Sequence, residues 1–150
     1  LKFNQLPAEG WSGDVPEFPL PKMDRFTKET DGEGGTVEVF DAKLTKRTRE
    51  REIEVWNEAW RTPQASMWSV DSWRWSTIAE YCRLKTVIEM KPDSNAALVG
   101  HLHRYRDQIG LSPVGLAGNG WEIVADAPAD TGAPEPSGVS EQPKRRLRAV

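Results

Sequence analysis

Apolar positions with helical spacing are concentrated between Trp56 and Leu116, while both flanks are broken up by Pro, Gly and charge. With Trp75 as reference and about 100° per residue, Ile78, Ala79 and Cys82 fall on one side of a helix, and Tyr81, Leu84 and Ile88 fall on a second. A helix apolar on two sides packs from two directions. The next stretch, 95–109, has a single stripe of Leu98, Leu102, Tyr105 and Ile109, with Ala97 and His101 at its edge, as expected for a helix with one wet face. Asp93 or Ser94 offers its N-cap, Pro92 breaks it from the helix before, and Gly110 is placed to stop it. An antiparallel pair joined by a short MKPDS connection is the expected centre.

Upstream, a helix is expected over 45–61, with Thr45 as N-cap and Ile53, Trp56 and Trp60 as its apolar side. Thr62 and Pro63 end it. A helical turn carrying Met67 and Trp68 follows, and Asp71 or Ser72 caps the central helix. Downstream, Ser112 is an N-cap with Pro113 at the first helical position, and the short helix ends at Gly118, Asn119 and Gly120 before an extended patch, Trp121 to Val124. The first 40 residues have no helical period and read as an extended arm. Its spaced apolar residues Leu6, Trp11, Val15, Phe18 and Leu20 suit a groove on the folded part or on a neighbouring subunit; a disordered leader is the alternative. Thr36 to Phe40 alternates like a short strand or extended link. DGEGGT at 31–36 lacks the Lys and helix of a phosphate loop and reads as a turn or hinge. The expected fold is all-α: an extended arm over 1–40, a helical core and oligomerisation domain over 41–125, and a disordered tail with a basic end over 126–150.

Composition changes this picture in one respect. At 150 residues, with a mean hydropathy of -0.64, the chain fits one modest core plus tails, and its two-faced helix and seven Trp point to a partner copy that completes burial. Trp56, Trp60, Trp68, Trp75, Tyr81, Leu84, Ile88, Leu98, Leu102 and Tyr105 are the expected core and interface residues. The chain has no apolar run long enough to span a membrane and no charged start followed by an apolar stretch, so a soluble, intracellular protein is expected. The single Cys82 lies within an apolar stripe, where a small core residue is the natural reading and no disulfide is available.

A net charge of -3 excludes a uniformly basic nucleic-acid binder and leaves only local patches. Lys43, Lys46, Arg47 and Arg51 project to one side of the first helix and are candidates for DNA phosphates, as are Lys144, Arg145, Arg146 and Arg148 in the terminal KRRLR. The competing reading of the first set is a solvated face laced by Lys46–Glu50 and Arg51–Glu54 pairs. On a helix His101 and His103 point about 200° apart and cannot share a metal ion. His103 and Asp107 are spaced to pair on the wet face. No nucleophile elbow and no isolated acidic pair is present, so no catalytic residue, cofactor or metal is expected.

The series WNEAWRTPQA at 56–65, Trp68, Arg83-Leu84, Asn95-Ala-Ala-Leu98 and DQIGLSP at 107–113 resembles the small terminase subunits of tailed bacteriophages, especially those infecting actinobacteria. The leader LPAEGWSGDVPEFPLP is similar to the same group, and the likeness covers most of residues 1–124. The resemblance implies a non-catalytic member of a viral DNA-packaging motor in the host cytoplasm. Such a subunit assembles as a homo-oligomeric ring, recognises double-stranded viral DNA, and recruits and regulates the large subunit that holds the ATPase and nuclease. Two departures stand out: Val114, Gly115, Leu116 and Ala117 replace the basic residues that follow Leu-Ser/Thr-Pro in many such subunits, and no N-terminal helix-turn-helix is possible. The alternatives are a small helical transcriptional regulator, with Arg104, Arg106 and Gln108 as base-reading candidates, and a protein adaptor without DNA affinity.

Overall fold

The structure, a computed structural model, describes residues 2–91, 93 and 95–125. In chain order it contains strands β1 (Asn4–Pro7), β2 (Phe26–Thr30) and β3 (Thr36–Phe40), helices α1 (Ala42–Ala59), α2 (Ala65–Trp68), α3 (Trp75–Met90), α4 (Ala96–Ile109) and α5 (Pro113–Asn119), and strand β4 (Trp121–Val124). A single 3-10 turn, Ser72–Arg74, leads into α3. The all-α expectation is therefore wrong. The described residues are 51% helical and 15% strand, in two small sheets. One is a parallel pair of β1 and β4 that joins the two ends of the described chain, Asn4 opposite Trp121 and Pro7 opposite Val124. The other is an antiparallel β2–β3 ribbon, Phe26 opposite Phe40 and Thr30 opposite Thr36. Neither pairing leaves a helical trace in the sequence, and the first joins segments too far apart for any local pattern to carry it.

Helix α3 is the centre, with α1 packed antiparallel on one side and α4 on the other. This matches its two apolar stripes: Ile78, Ala79, Tyr81 and Cys82 are buried, and Leu84 and Ile88 are half-buried against the same core. Gly110 ends α4 at φ +85°, and any Cβ there would collide with the Trp121 ring, so the chain turns at this point only because the residue is Gly. Asn95, not Asp93, caps α4 by accepting from Leu98 N–H at 3.0 Å; Pro92 and Ser94 lie outside the described residues. Ser112 caps α5 with Pro113 at its start, as expected from the sequence. Helix α3 has no side-chain cap; Asp71 instead pairs with Arg74 at 3.3 Å.

Helix α1 departs most from its pattern. It begins at Ala42, because Asp41 accepts from Leu44 N–H at 2.9 Å and supplies the cap expected of Thr45, a contribution of about 1 kcal/mol. Only Lys43 among the nearby cations then lies in the first turn. Thr45 is buried and receives Arg25 N–H at 2.9 Å. The buried face is Thr45, Thr48, Glu52, Val55, Trp56 and Ala59, so Ile53, expected to be apolar core, is 36% exposed.

Five indoles form the core. Trp60 lies 5.4–5.7 Å, centroid to centroid, from Trp11, Trp56, Trp68 and Trp75. Indole N–H groups of Trp56, Trp68 and Trp75 donate to the carbonyls of Pro16, Ile109 and Trp68, at 2.7, 2.9 and 2.6 Å. The Trp60 N–H is buried without an acceptor.

The arm is strapped to this core. Leu6 and Phe18 are buried within it, and Arg61 donates to the carbonyls of Trp11 and Gly13 at 3.3 and 2.7 Å. The main buckle is Glu52, a carboxylate with no exposed surface. Arg49 reaches it at 2.8 Å and Arg83 at 3.0 Å. Both guanidinium groups lie over the Phe18 ring, and they donate onward to the carbonyls of Leu20 and Pro21. Removing one member of such a set leaves charges without their partner, which costs about 3–5 kcal/mol when fully buried. Because both Arg side chains are 22–25% exposed, we predict that Glu52→Ala lowers unfolding free energy by about 3 kcal/mol in urea denaturation and makes the 8–25 stretch a preferred site of proteolysis. A loss below about 1 kcal/mol, as for a surface pair, with an unchanged cleavage pattern would refute the strapping role.

Candidate functional site

The basic set on α1 does not form one free surface. Arg51 is held by Glu89 at 2.9 Å, Glu54 at 3.1 Å and Glu58 at 3.3 Å, and the Glu89 contact ties α1 to the end of α3. These carboxylates raise the Arg51 pKa further above its ordinary range, and the hydrogen bond from Arg51 holds Glu89 below the usual carboxylate value. Lys46 lies 3.9 Å from Glu50, both well exposed. Lys43 and Arg47, one turn apart and exposed, have no acidic partner among the described residues. A crevice beside them is lined by Arg47, Glu50, Arg51, Glu54, Glu89 and Met90, more acidic than basic. The set thus splits, with Lys43, Lys46 and Arg47 open to an anion and Arg51 neutralised. Lys144, Arg145, Arg146 and Arg148 lie outside the described residues.

The expected interface residues also divide. Trp56, Trp60, Trp68, Tyr81 and Leu102 are buried core, and Trp75 is half-buried against the indole cluster. Leu84, Ile88, Leu98 and Tyr105 are half-buried. Three of these, with Val87, floor an open groove of about 380 Å³ between α3 and α4, edged by Glu80, Arg83 and His101. Such a floor is the exposed remainder of the second stripe on α3.

No group of three or more His, Cys, Asp or Glu side chains able to hold a metal occurs among the described residues. His101 and His103 are both exposed on α4. Asp107 takes the Ser112 hydroxyl at 2.5 Å, which ties the end of α4 to the cap of α5. Arg106 leans over the Tyr81 ring at 5.9 Å, and Gln108 is engaged only through its main-chain carbonyl, which accepts from Arg74 at 3.2 Å, so among the described residues the Arg104 and Gln108 side chains of the three base-reading candidates have no such contact. Burial pushes the Cys82 thiol up to about 12.

The strand at Thr36–Phe40 and the turn at 31–36 were expected, whereas β2, its pairing with β3 and the exposure of Trp73 were missed in the sequence. The β2–β3 ribbon exposes Phe26, Val37, Val39 and Phe40, and Trp73 is 72% exposed with the Arg74 guanidinium 4.5 Å above its ring. The ribbon had a readable signal, since two Thr- and Phe- or Val-containing runs flank an Asp/Gly loop.

The described part of the chain is a small mixed α/β domain, helical at its centre, with a strapped arm and a projecting ribbon. None of its helices is long and apolar enough to cross a membrane. No protein-family model, curated protein or solved structure matches the chain.

The titrating groups are open to two direct tests. Native protein at pH 8 should leave Cys82 unmodified by a thiol reagent that labels it at once in denaturant; rapid native labelling would contradict its burial. For Glu89, whose folded pKa lies below the ordinary 4.5, the contribution to stability is present above that value and lost as pH falls through the depressed folded pKa. Arg51→Ala should move the Glu89 titration, followed by carboxyl NMR, up toward 4.5; an unmoved titration would mean that the Arg51 pair does not set it.

Proposed function

We propose that this chain is the small, non-catalytic subunit of a viral DNA-packaging (terminase) motor, acting in the host cytoplasm. It assembles as a homo-oligomeric ring, binds double-stranded viral DNA, and recruits and regulates the ATPase-nuclease large subunit. The observation that carries the reading is that two of the stretches behind the resemblance, 56–65 and 107–113, meet in one physical joint. Gln64 of WNEAWRTPQA donates to the Gly110 carbonyl of DQIGLSP at 3.0 Å, and Trp68 donates to Ile109 at 2.9 Å. Part of the likeness, at Trp56, Trp60, Gln64, Ala65, Trp68, Ile109 and Gly110, therefore falls on buried, packed positions. The α3–α4 groove supports the assembly half, since an apolar floor left open on a single copy is the kind of surface that marks association. In a ring, the modest Lys43, Lys46 and Arg47 set repeats around the circle, and weak contacts add through multivalency.

A second reading, a protein adaptor without DNA affinity, draws on one observation: the four Glu residues beside Arg51 repel phosphate from half of the basic face. The two are separated by DNA binding measured across salt, alongside the solution mass. The terminase reading predicts a species several times 16.9 kDa that binds duplex DNA. Replacing Lys43, Lys46 and Arg47 together with Ala should then weaken binding and flatten the salt dependence by about one unit of slope for each phosphate no longer neutralised, whereas Arg51→Ala should leave affinity unchanged. A stable oligomer with no salt-dependent DNA binding would favour the adaptor.

A further inference from the structure

We propose that the β2–β3 ribbon of one copy seats in the α3–α4 groove of the next, so that the chain assembles head to tail. The inference rests on the assembly half of the proposed function and is independent of DNA.

The ribbon lacks a partner in its own domain. Nine of its ten strand residues are exposed, Phe26 by 53% and Phe40 by 50%, and its two aromatic rings meet only each other, edge to face at 6.0 Å. An isolated two-stranded hairpin is at best marginally stable in water and needs a hydrophobic face to pack on. Register puts the Phe26/Phe40, Lys28/Glu38 and Thr30/Thr36 pairs on one face, and Val37 and Val39 on the other. Its root is fixed to its own α1, by Asp41 N–H to the Arg25 carbonyl and by Arg25 N–H to the Thr45 hydroxyl, both 2.9 Å. The ribbon is thus held out from the body with its own groove left open.

Charge disfavours one open surface and the apolar floor favours another. Within residues 26–40, Glu29, Asp31, Glu33 and Glu38 face a single Lys28, a balance of -3. The crevice beside α1, with its Glu residues, repels such a ribbon. The groove edge sets Glu80 against Arg83 and His101, with Arg83 shared with Glu52, and α4 adds Arg104 and Arg106 against Asp107, so this surface opposes the ribbon less than the α1 crevice does. Between α3 and α4 the floor is Leu84, Val87, Leu98 and Tyr105. From Glu80 to Val87 the groove runs about 10 Å along α3, enough for the Phe26/Phe40 row and the row beside it, since successive residues of a strand rise about 3.3 Å. Since ribbon and groove are different patches of one chain, the contact is heterologous, and it closes into a ring if the rotation between neighbours divides the circle.

Two variants and their mixture test this. In the first, residues 27–39 are replaced by a short Gly/Ser link; in the second, Leu98→Glu puts a carboxylate into the groove. Neither site carries a fully buried side chain, and an unchanged near-ultraviolet tryptophan spectrum would verify the core; Phe26→Ser/Phe40→Ser serves as a milder ribbon variant. Wild-type chain should run as an oligomer by light scattering, and each variant alone should fall to the mass of a single chain, 16.9 kDa for the full-length Leu98→Glu chain and less for the ribbonless one. Mixed, the variants should form a capped pair with the summed mass of the two, because the intact ribbon of one meets the intact groove of the other. A ribbonless chain that keeps the wild-type mass would overturn the inference while leaving assembly standing. So would two monomeric variants that stay monomeric when mixed. A monomeric wild-type chain would instead sink the assembly reading itself, and this inference with it.

Discussion

The fold depends on a carboxylate that has no contact with water. Glu52 stands on the inner face of α1 where an apolar residue would keep the helical stripe intact, and its desolvation is tolerated only because two guanidinium groups reach it from different directions. Arg49 comes from the same helix and Arg83 from α3, so the ion set fixes α1 against α3. Each cation also lies over the Phe18 ring and gives a hydrogen to a carbonyl of the arm at Leu20 or Pro21. Three segments that share no continuous apolar stripe are joined at one point. The arm then covers the indole cluster from outside, with Trp11 packed on Trp60 and the Pro16 carbonyl satisfying Trp56.

The same arrangement explains what could be read from the sequence and what could not. Helices α3, α4 and α5 were legible because their apolar residues, Gly110, Ser112 and Pro113 act locally: each sets backbone or packing within a turn or two of itself. Helix α1 was misread in its start and at one position of its buried side, where Trp56 and Trp60 are buried as expected but Ile53 is not. Asp41 took the cap because the chain arrives from the ribbon, and Glu52 replaced Ile53 inward because its partners, Arg83 and the arm, are distant in sequence. The β1–β4 pair was illegible for the same reason. In the β2–β3 ribbon the alternation of Thr36 to Phe40 and the turn at 31–36 were legible, and only β2 and its pairing were missed, hidden by Lys28 and Glu29 within a run that stays wet on a ribbon with no sheet behind it.

Cations on α1 carry a related lesson. Helical projection placed Lys43, Lys46, Arg47 and Arg51 on one side correctly, but projection cannot report what the neighbouring helix presents. Glu89 of α3 converts Arg51 from a free charge into part of a network with two acids of its own helix. Of the candidate surface, the positions were legible and the electrostatics were not. Any phosphate contact on α1 is thereby confined to its first two turns, which lie next to the root of the ribbon.

That adjacency bears on how the proposed functions would fit together. Arg25 and Asp41 bind the ribbon to the first turn of α1, so a neighbour that captures the ribbon also fixes the orientation of Lys43, Lys46 and Arg47 relative to its own copy of the same set. On that proposal, a free ribbon would let each basic patch face in its own direction, and each would bind weakly. With the ribbon seated, the patches would repeat with the symmetry of the assembly, and the entropy of aligning them would be met by protein contacts before DNA arrives. Assembly and DNA affinity would therefore be linked through one short segment, although neither set of contacts touches the other.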